Sequence, residues 1–287
     1  MQTIHIVADK LASAWMQAVK TVFFGGMRIR TEYDKSDLEN SFDVTSLIEV
    51  TNPVLPVDLT KSINHRDGNV IHPADVYAMM FVKGDYVDEI LNGVHDDQIG
   101  KGPSYAYTYH DRLFAWKAFS QEDTCLIYDQ LSSDLNSIHF PCVNQLDYMV
   151  KKLKDTPYTR RAQGITWRPY SDTKREDCPC LQRIWVRVIS GKLTFQASWR
   201  SRDLFRAFEA NAVGMMYIQK YVADQLGVGI GPYVDFCNSL HIYGQRKMLQ
   251  EVVQFFRTCQ NRGELESEYA GRLDEIEKQV GIDLIEE

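Results

Sequence analysis

The side chains in this sequence best suited to chemistry fall in its second half: Pro179–Cys180, Arg200–Ser201–Arg202–Asp203, Asn211, and His241–Ile242–Tyr243. Cys180 precedes Arg200 by twenty residues, Asp203 precedes Asn211 by eight, and Asn211 precedes His241 by thirty. A cysteine attacks as its thiolate, and an unperturbed thiol has a pKa of about 8.5, so a catalytic cysteine needs positive charge beside it. Arg200 is the candidate for that charge. Taken singly, each group has an ordinary structural explanation. A lone cysteine is more often an inert core residue, a histidine a satisfied buried one, and an arginine pair a solvated face. Asn211 could merely bond a neighbouring turn. Cys178, two residues before Cys180, reads as structural or incidental.

Taken together, in this order and at these intervals, the four groups resemble the thymidylate synthase signature. That family places its nucleophilic cysteine after a proline, an RSxD segment twenty residues on, a base-reading asparagine eight residues later, and an HxY pair thirty beyond. Upstream, Arg160–Arg161 and Trp167 match the family's paired arginines and following tryptophan. The match covers roughly residues 155–245. The resemblance implies an α+β fold, with a mixed β-sheet covered by helices and one long central helix. It also implies a folate-dependent methyltransferase that adds one carbon to C5 of a pyrimidine nucleotide such as dUMP.

Roles follow from the resemblance residue by residue. Cys180 adds to C6 of the base and makes C5 enolate-like. Arg200 and Ser201 hold the nucleotide phosphate. Arg160 and Arg161 complete that phosphate cage from a neighbouring subunit, which implies a homodimer with shared active sites. Arg28, or alternatively Arg30, supplies a further phosphate arginine. Asn211 reads the base edge, accepting from N3–H and donating to O4, which favours uracil over cytosine. His241 and Tyr243 bind the sugar 3′-hydroxyl, and Asp203 helps orient the ligands. Tyr107 resembles the family's tyrosine near the proton-transfer network. Glu89 is the candidate for its proton-managing glutamate, with Asp75 as the alternative. The one-carbon donor is 5,10-methylenetetrahydrofolate, and no metal is implied.

Departures from the pattern lie mainly on the folate side. Leu181 stands where a histidine usually follows the cysteine, and Trp199 where a glutamine usually precedes the arginine. The usual apolar C-terminal tail is replaced by a charged segment, Asp274–Glu275 through Glu286–Glu287. A looser folate site keeps open a second reading, a deoxypyrimidine hydroxymethylase acting on dUMP or dCMP. A third, of another class, is an inactive nucleotide-binding paralogue.

The elements that must position these residues show in the hydrophobic pattern. Leu181–Ile189 and Lys192–Trp199 read as strands joined by a Ser190–Gly191 turn, and Tyr233–Ile242 as another strand. Arg161–Trp167 and Val44–Val50 also read as strands. Leu204–Leu226 is the long helix, stopped by Gly227. Helical spacing is predicted over Ile6–Phe24, Asn144–Lys154 and Gln245–Thr258, and for a charged tail at 263–287. Ala74–Val82 is apolar and of either type, and 95–112 reads as a structured loop. A single domain over residues 1–287 is the economical reading.

Composition sets outer limits. A net charge of -7 over 287 residues argues against a general nucleic-acid binder. No run approaches the roughly 20 apolar residues of a membrane helix, and Met1–Lys10 lacks a signal-peptide pattern. The six cysteines, Cys125, Cys142, Cys178, Cys180, Cys237 and Cys259, show no paired CxxC spacing for zinc. The expected setting is a reducing cytoplasm in which thiols stay free.

Overall fold

The chain begins as a strand and not a helix. Ile4, Ile6 and Ala8 are buried and alternate with exposed neighbours, so Thr3–Ala8 forms β1. The helix expected from Ile6 starts later, as α1 (Leu11–Gly25), and buries the anticipated Trp15, Ala18, Val19 and Val22. The helical reading absorbed Ile6 because a six-residue period-2 run is short beside the fifteen-residue helix that follows it. The computed structural model describes residues 2–34, 40–53, 86–101, 105–118 and 141–280. Ala74–Val82, with Asp75, lies outside the described residues, as do Cys125 and the end of the charged tail.

Next come β2 (Met27–Ile29), β3 (Ser41–Val50), α2 (Tyr86–Asn92), a 3₁₀ turn at Asp96–Gln98, and α3 (Tyr109–Phe114). The expected loop over 95–112 therefore contains helical turns. α4 (Gln145–Asp155) is capped by Asn144, whose side chain accepts from the Leu146 and Asp147 amides. After it follow β4 (Gln163–Ile165), shorter than expected, α5 (Pro169–Asp172), and β5 (Leu181–Ile189), as expected. β6 (Lys192–Asp203) runs past the expected end at Trp199, so the whole Arg200–Asp203 segment is strand. The Ser190–Gly191 turn between β5 and β6 has positive φ at both residues, 50° and 74°. The long helix α6 (Phe208–Leu226) starts four residues later than predicted, because Asp203 accepts from the Phe205 and Arg206 amides and holds the preceding turn. β7 (Gly229–Ile242), α7 (Arg246–Asn261) and α8 (Ser267–Val280) complete the described chain.

Among the described residues the strands form one seven-stranded mixed sheet in the order β1-β3-β7-β6-β5-β4, with β2 also on β3. β6 and β7 are parallel, joined through α6, while β3 and β5 flank them antiparallel. α1 and α6 pack on one face and on each other. Trp15, Phe23, Phe205, Phe255 and Phe256 fill the layer between α1, α7 and the sheet. α8 closes over α1 and α7 through the buried Leu273, the Tyr269 ring on Phe24, and the Lys20–Glu266 pair at 2.6 Å. On the opposite face, register aligns His5, Leu47, Phe236, Ser198 and Arg183 in one row. Leu47 and Phe236 in that row are exposed, as is the neighbouring Val7. Among the described residues, no helix is long and apolar enough to cross a membrane.

Candidate active site

Cys180 sits one residue ahead of β5, at the head of the sheet. Pro179 before it is buried, whereas Cys178 and Cys180 are partly exposed. Arg200, on the neighbouring strand, ties this corner together. Its amide donates to the Cys180 carbonyl (2.9 Å), its Nε to the Pro179 carbonyl (3.1 Å), and its Nη2 to the Cys178 carbonyl (2.8 Å). The guanidinium is thereby fixed against the cysteine segment. Burial pushes the Cys180 thiol above its ordinary value, and the pull of Arg200 in the other direction, partly cancelled by Asp177, does not overcome it.

Tyrosines close the other side. The Tyr107 hydroxyl bonds the Cys180 backbone and Tyr109, and Tyr109 accepts from the Leu181 amide (3.3 Å). Burial pushes both phenols above the usual tyrosine range, so they stay neutral hydrogen-bonding groups. Tyr86, Glu89, Tyr105, Thr108 and Asp177 join them around a cavity of about 270 Å³. Glu89 is half-buried, and desolvation raises its carboxyl above the ordinary range, opposed by His95.

Asn211, on the first turn of α6, meets this cavity through Tyr86. Its Nδ2 donates to the Ala207 carbonyl (2.6 Å), while its Oδ1 faces the Tyr86 hydroxyl (3.2 Å). A carbonyl can only accept, so the amide orientation is determined and Tyr86 donates to Oδ1. One Nδ2 hydrogen and one Oδ1 lone pair remain. α2 comes this close because Gly214 has no side chain. A Cβ there would meet Ile90 Cδ1 at 2.3 Å and Tyr86 Cε1 at 3.3 Å.

At the far end of β6 and β7, His241 lies beside Asp203 in one register and Asp43 in the other. Its Nδ1 is 3.2 Å from the Ser239 carbonyl, its ring packs edge-on to Tyr243 at 4.6 Å, and its buried Nε2 has no partner among the described residues. Ser239, the register neighbour of Ser201, donates to Asp43. Burial raises the Asp43 and Asp203 carboxyls, and His241 opposes both shifts. Tyr33, from the turn after β2, approaches the Tyr243 ring at 6.2 Å. Arg28 stands over the Phe42 ring (4.4 Å) on β2, in the field of Asp34.

Tyr107 and Glu89 thus line the cavity, Asn211 reaches it through Tyr86, Cys180 and Arg200 adjoin it through Tyr107, and Ser201, Asp203, His241 and Tyr243 lie at or just beyond the ends of β6 and β7. Arg160 and Arg161 do not join them. Ala162 accepts from the Val186 amide and the Arg160 carbonyl from the Trp185 indole (3.0 Å). Six residues of strand separate that point from Cys180, roughly 20 Å. Several contributors were missed in the sequence. Tyr86 sits in a stretch without periodic signal, and Tyr109 reads in the sequence as core packing. Arg202 was passed over as the variable position of RSxD, yet it is buried in an ion pair with Asp235 and stacks on Trp199 (4.1 Å) and Phe208 (4.2 Å). Asp235 also accepts from Trp199 Nε1 (3.0 Å) and the Tyr233 hydroxyl (2.5 Å), which accounts for a tryptophan at position 199. Among the described residues, no three His, Cys, Asp or Glu side chains converge to hold a metal ion.

The thymidylate synthase family model matches residues 101–280, most of the chain and the whole candidate site from Tyr105 onward. The chain belongs to the thymidylate synthase family. A similar protein from Methanocaldococcus jannaschii, described as a "Putative thymidylate synthase", is 27% identical over 259 residues, covering 88% of this chain and 96% of that protein. Proteins of the same description from Methanothermobacter marburgensis and Methanothermobacter thermautotrophicus are each 28% identical. They cover 83% and 87% of this chain, and 92% and 98% of their own lengths. The thymidylate synthase fold is the one seen here, a mixed sheet covered by helices around a long central helix. Identity of 27–28% to these three relatives fits a divergent member, in keeping with Leu181 and Trp199 at positions where the family commonly carries histidine and glutamine.

Proposed function

We propose that this protein is a thymidylate synthase that methylates dUMP at C5 through a covalent bond from Cys180 to C6. The observation that carries the reading is the fixed Asn211 amide in the cleft of Cys180. The lone pair and N–H left after Ala207 and Tyr86 are satisfied match N3–H and O4 of uracil. Cytosine presents the reverse pattern, and turning the amide over would set Oδ1 against the Ala207 carbonyl. Bond formation from Cys180 Sγ to C6 pushes electron density towards C5 and O4, where Asn211 stabilises it. Glu89, kept protonated to higher pH by burial, takes part in proton exchange around O4. Departure of Cys180 restores the C5–C6 double bond.

Methylenetetrahydrofolate supplies the carbon and the hydride that make the methyl group. The tyrosine faces and Glu89 around the 270 Å³ cavity suit a flat heterocycle carrying N–H groups. Arg200 and Ser201 hold the phosphate, joined by Arg160 and Arg161 of a second copy, because these two stand far along the strand from their own Cys180. The open sheet face around Leu47 and Phe236 is the surface on which that copy packs.

Mass analysis of the nucleotide formed from dUMP and methylenetetrahydrofolate, with dCMP in parallel, tests the reaction. A gain of CH2 with dihydrofolate released is expected. A gain of CH2O with tetrahydrofolate released would instead make the protein a hydroxymethylase, and no product would leave a nucleotide-binding protein. Mixing Cys180→Ala and Arg161→Ala chains tests shared sites. Recovered activity is expected, and none in confirmed mixed dimers rules sharing out.

A further inference from the structure

Cys178 has no part in the chemistry above, yet its placement beside Cys180 is specific. The two cysteines flank the buried Pro179 and are both partly exposed, with Cys180 also packing against the edge of the core. Arg200 bonds the carbonyls on either side of the Pro179 ring and so stands at the charge of both thiols. Both are free, while Cys237 and Cys259 are buried. Pro179 restricts the backbone between the two cysteines, and Cα atoms two residues apart span a distance that a disulfide can bridge with a small adjustment.

We propose that Cys178 is the resolving thiol of a reversible oxidative modification that caps the Cys180 nucleophile. A hydroperoxide is the oxidant. The thiolate of Cys180 attacks the peroxide O–O bond, giving Cys180 sulfenic acid and releasing water or an alcohol. The Cys178 thiolate then attacks the Cys180 sulfur and expels hydroxide, which leaves as water. The two-electron oxidation is complete as a Cys178–Cys180 disulfide. The positive charge of Arg200 pulls the Cys180 thiol towards its thiolate, against the effect of burial. The consequence is protective, because a nucleophile held in a disulfide returns with a dithiol, whereas sulfinic acid does not. The site rests on Cys180 being the nucleophile, but its chemistry can be read without turnover.

The test is peptide mass spectrometry on the whole protein after exposure to hydrogen peroxide. Trypsin releases both cysteines in one peptide, Glu176–Arg183. We expect this peptide to become lighter by two hydrogens and to regain them with dithiothreitol. In Cys178→Ser the same peptide should instead gain two or three oxygens that dithiothreitol does not remove. Oxygen addition at Cys180 in the unmutated protein, or full dithiothreitol recovery in Cys178→Ser, overturns the proposal. Bound dUMP should slow the oxidation at least tenfold. Loss of that protection with the disulfide still forming would count against the dUMP reading and leave the disulfide standing.

Discussion

Cys180 and Cys237 lie on either side of Trp199, which pairs with Leu181 on one strand and with Cys237 on the other. The first thiol is at the end of a strand, partly exposed, with a guanidinium fixed alongside. The second is fully buried mid-strand, two residues from Asp235. Burial raises both thiols, but Arg200 works against the shift at Cys180, while the Asp235 charge adds to it at Cys237 and holds that group protonated well beyond the usual thiol range. Two cysteines in one neighbourhood of the sheet thus differ through strand position and the sign of the nearest charge. The comparison also explains Asp235. A carboxylate beneath the active site is tolerated because Arg202, Trp199 and Tyr233 all donate to it.

The sharpest way to break this comparison is to exchange the thiols one at a time. Cys180→Ser should lower dTMP formation on the order of 10⁴-fold or more, whereas Cys237→Ala should leave turnover per folded molecule unchanged. Equal losses would remove the distinction. Next in size, Asp235→Ala strands Arg202 in the core and should cost about 3–5 kcal/mol of stability in urea unfolding. A loss below 1 kcal/mol would mean the pair is not buried as described. Asn211→Asp should shift relative affinity towards dCMP by about 1–3 kcal/mol, roughly 5- to 150-fold, and an unchanged dUMP-to-dCMP ratio in titration would show that another group reads the base. The smallest effect sharpens the electrostatics. Positive charge favours thiolate, so Arg200→Gln should move the pH profile of Cys180 alkylation upward, with Cys237 unreactive throughout. A downward or absent shift contradicts the role given to Arg200.

The second half of the molecule was legible because its signals are local. Leu181–Ile189 appears as predicted, and the Cys180, Arg200, Asn211 and His241 groups come together because adjacent strands and the helix between them fix their spacing. The N-terminal strand was hidden by the helix behind it. Tyr86 and Tyr109 acquire meaning only through contacts 125 and 72 residues away, to Asn211 and Leu181. No periodicity encodes such distances. The setting of Cys180 was only half legible for a related reason. A sequence shows that an arginine is near in register, but not that desolvation outweighs it.

The strand order sets a timetable for synthesis. β7 lies between β3 and β6, and the Thr45 hydroxyl finds its partner in the Asn238 carbonyl, 193 residues on. At typical translation rates, the edge of β3 therefore waits about 10–40 s for its neighbour to be made. Until then the N-terminal strands and the β5–β6 hairpin are separate sheets with unpaired edges, and the nascent chain is most open to mispairing just before its last strand leaves the ribosome.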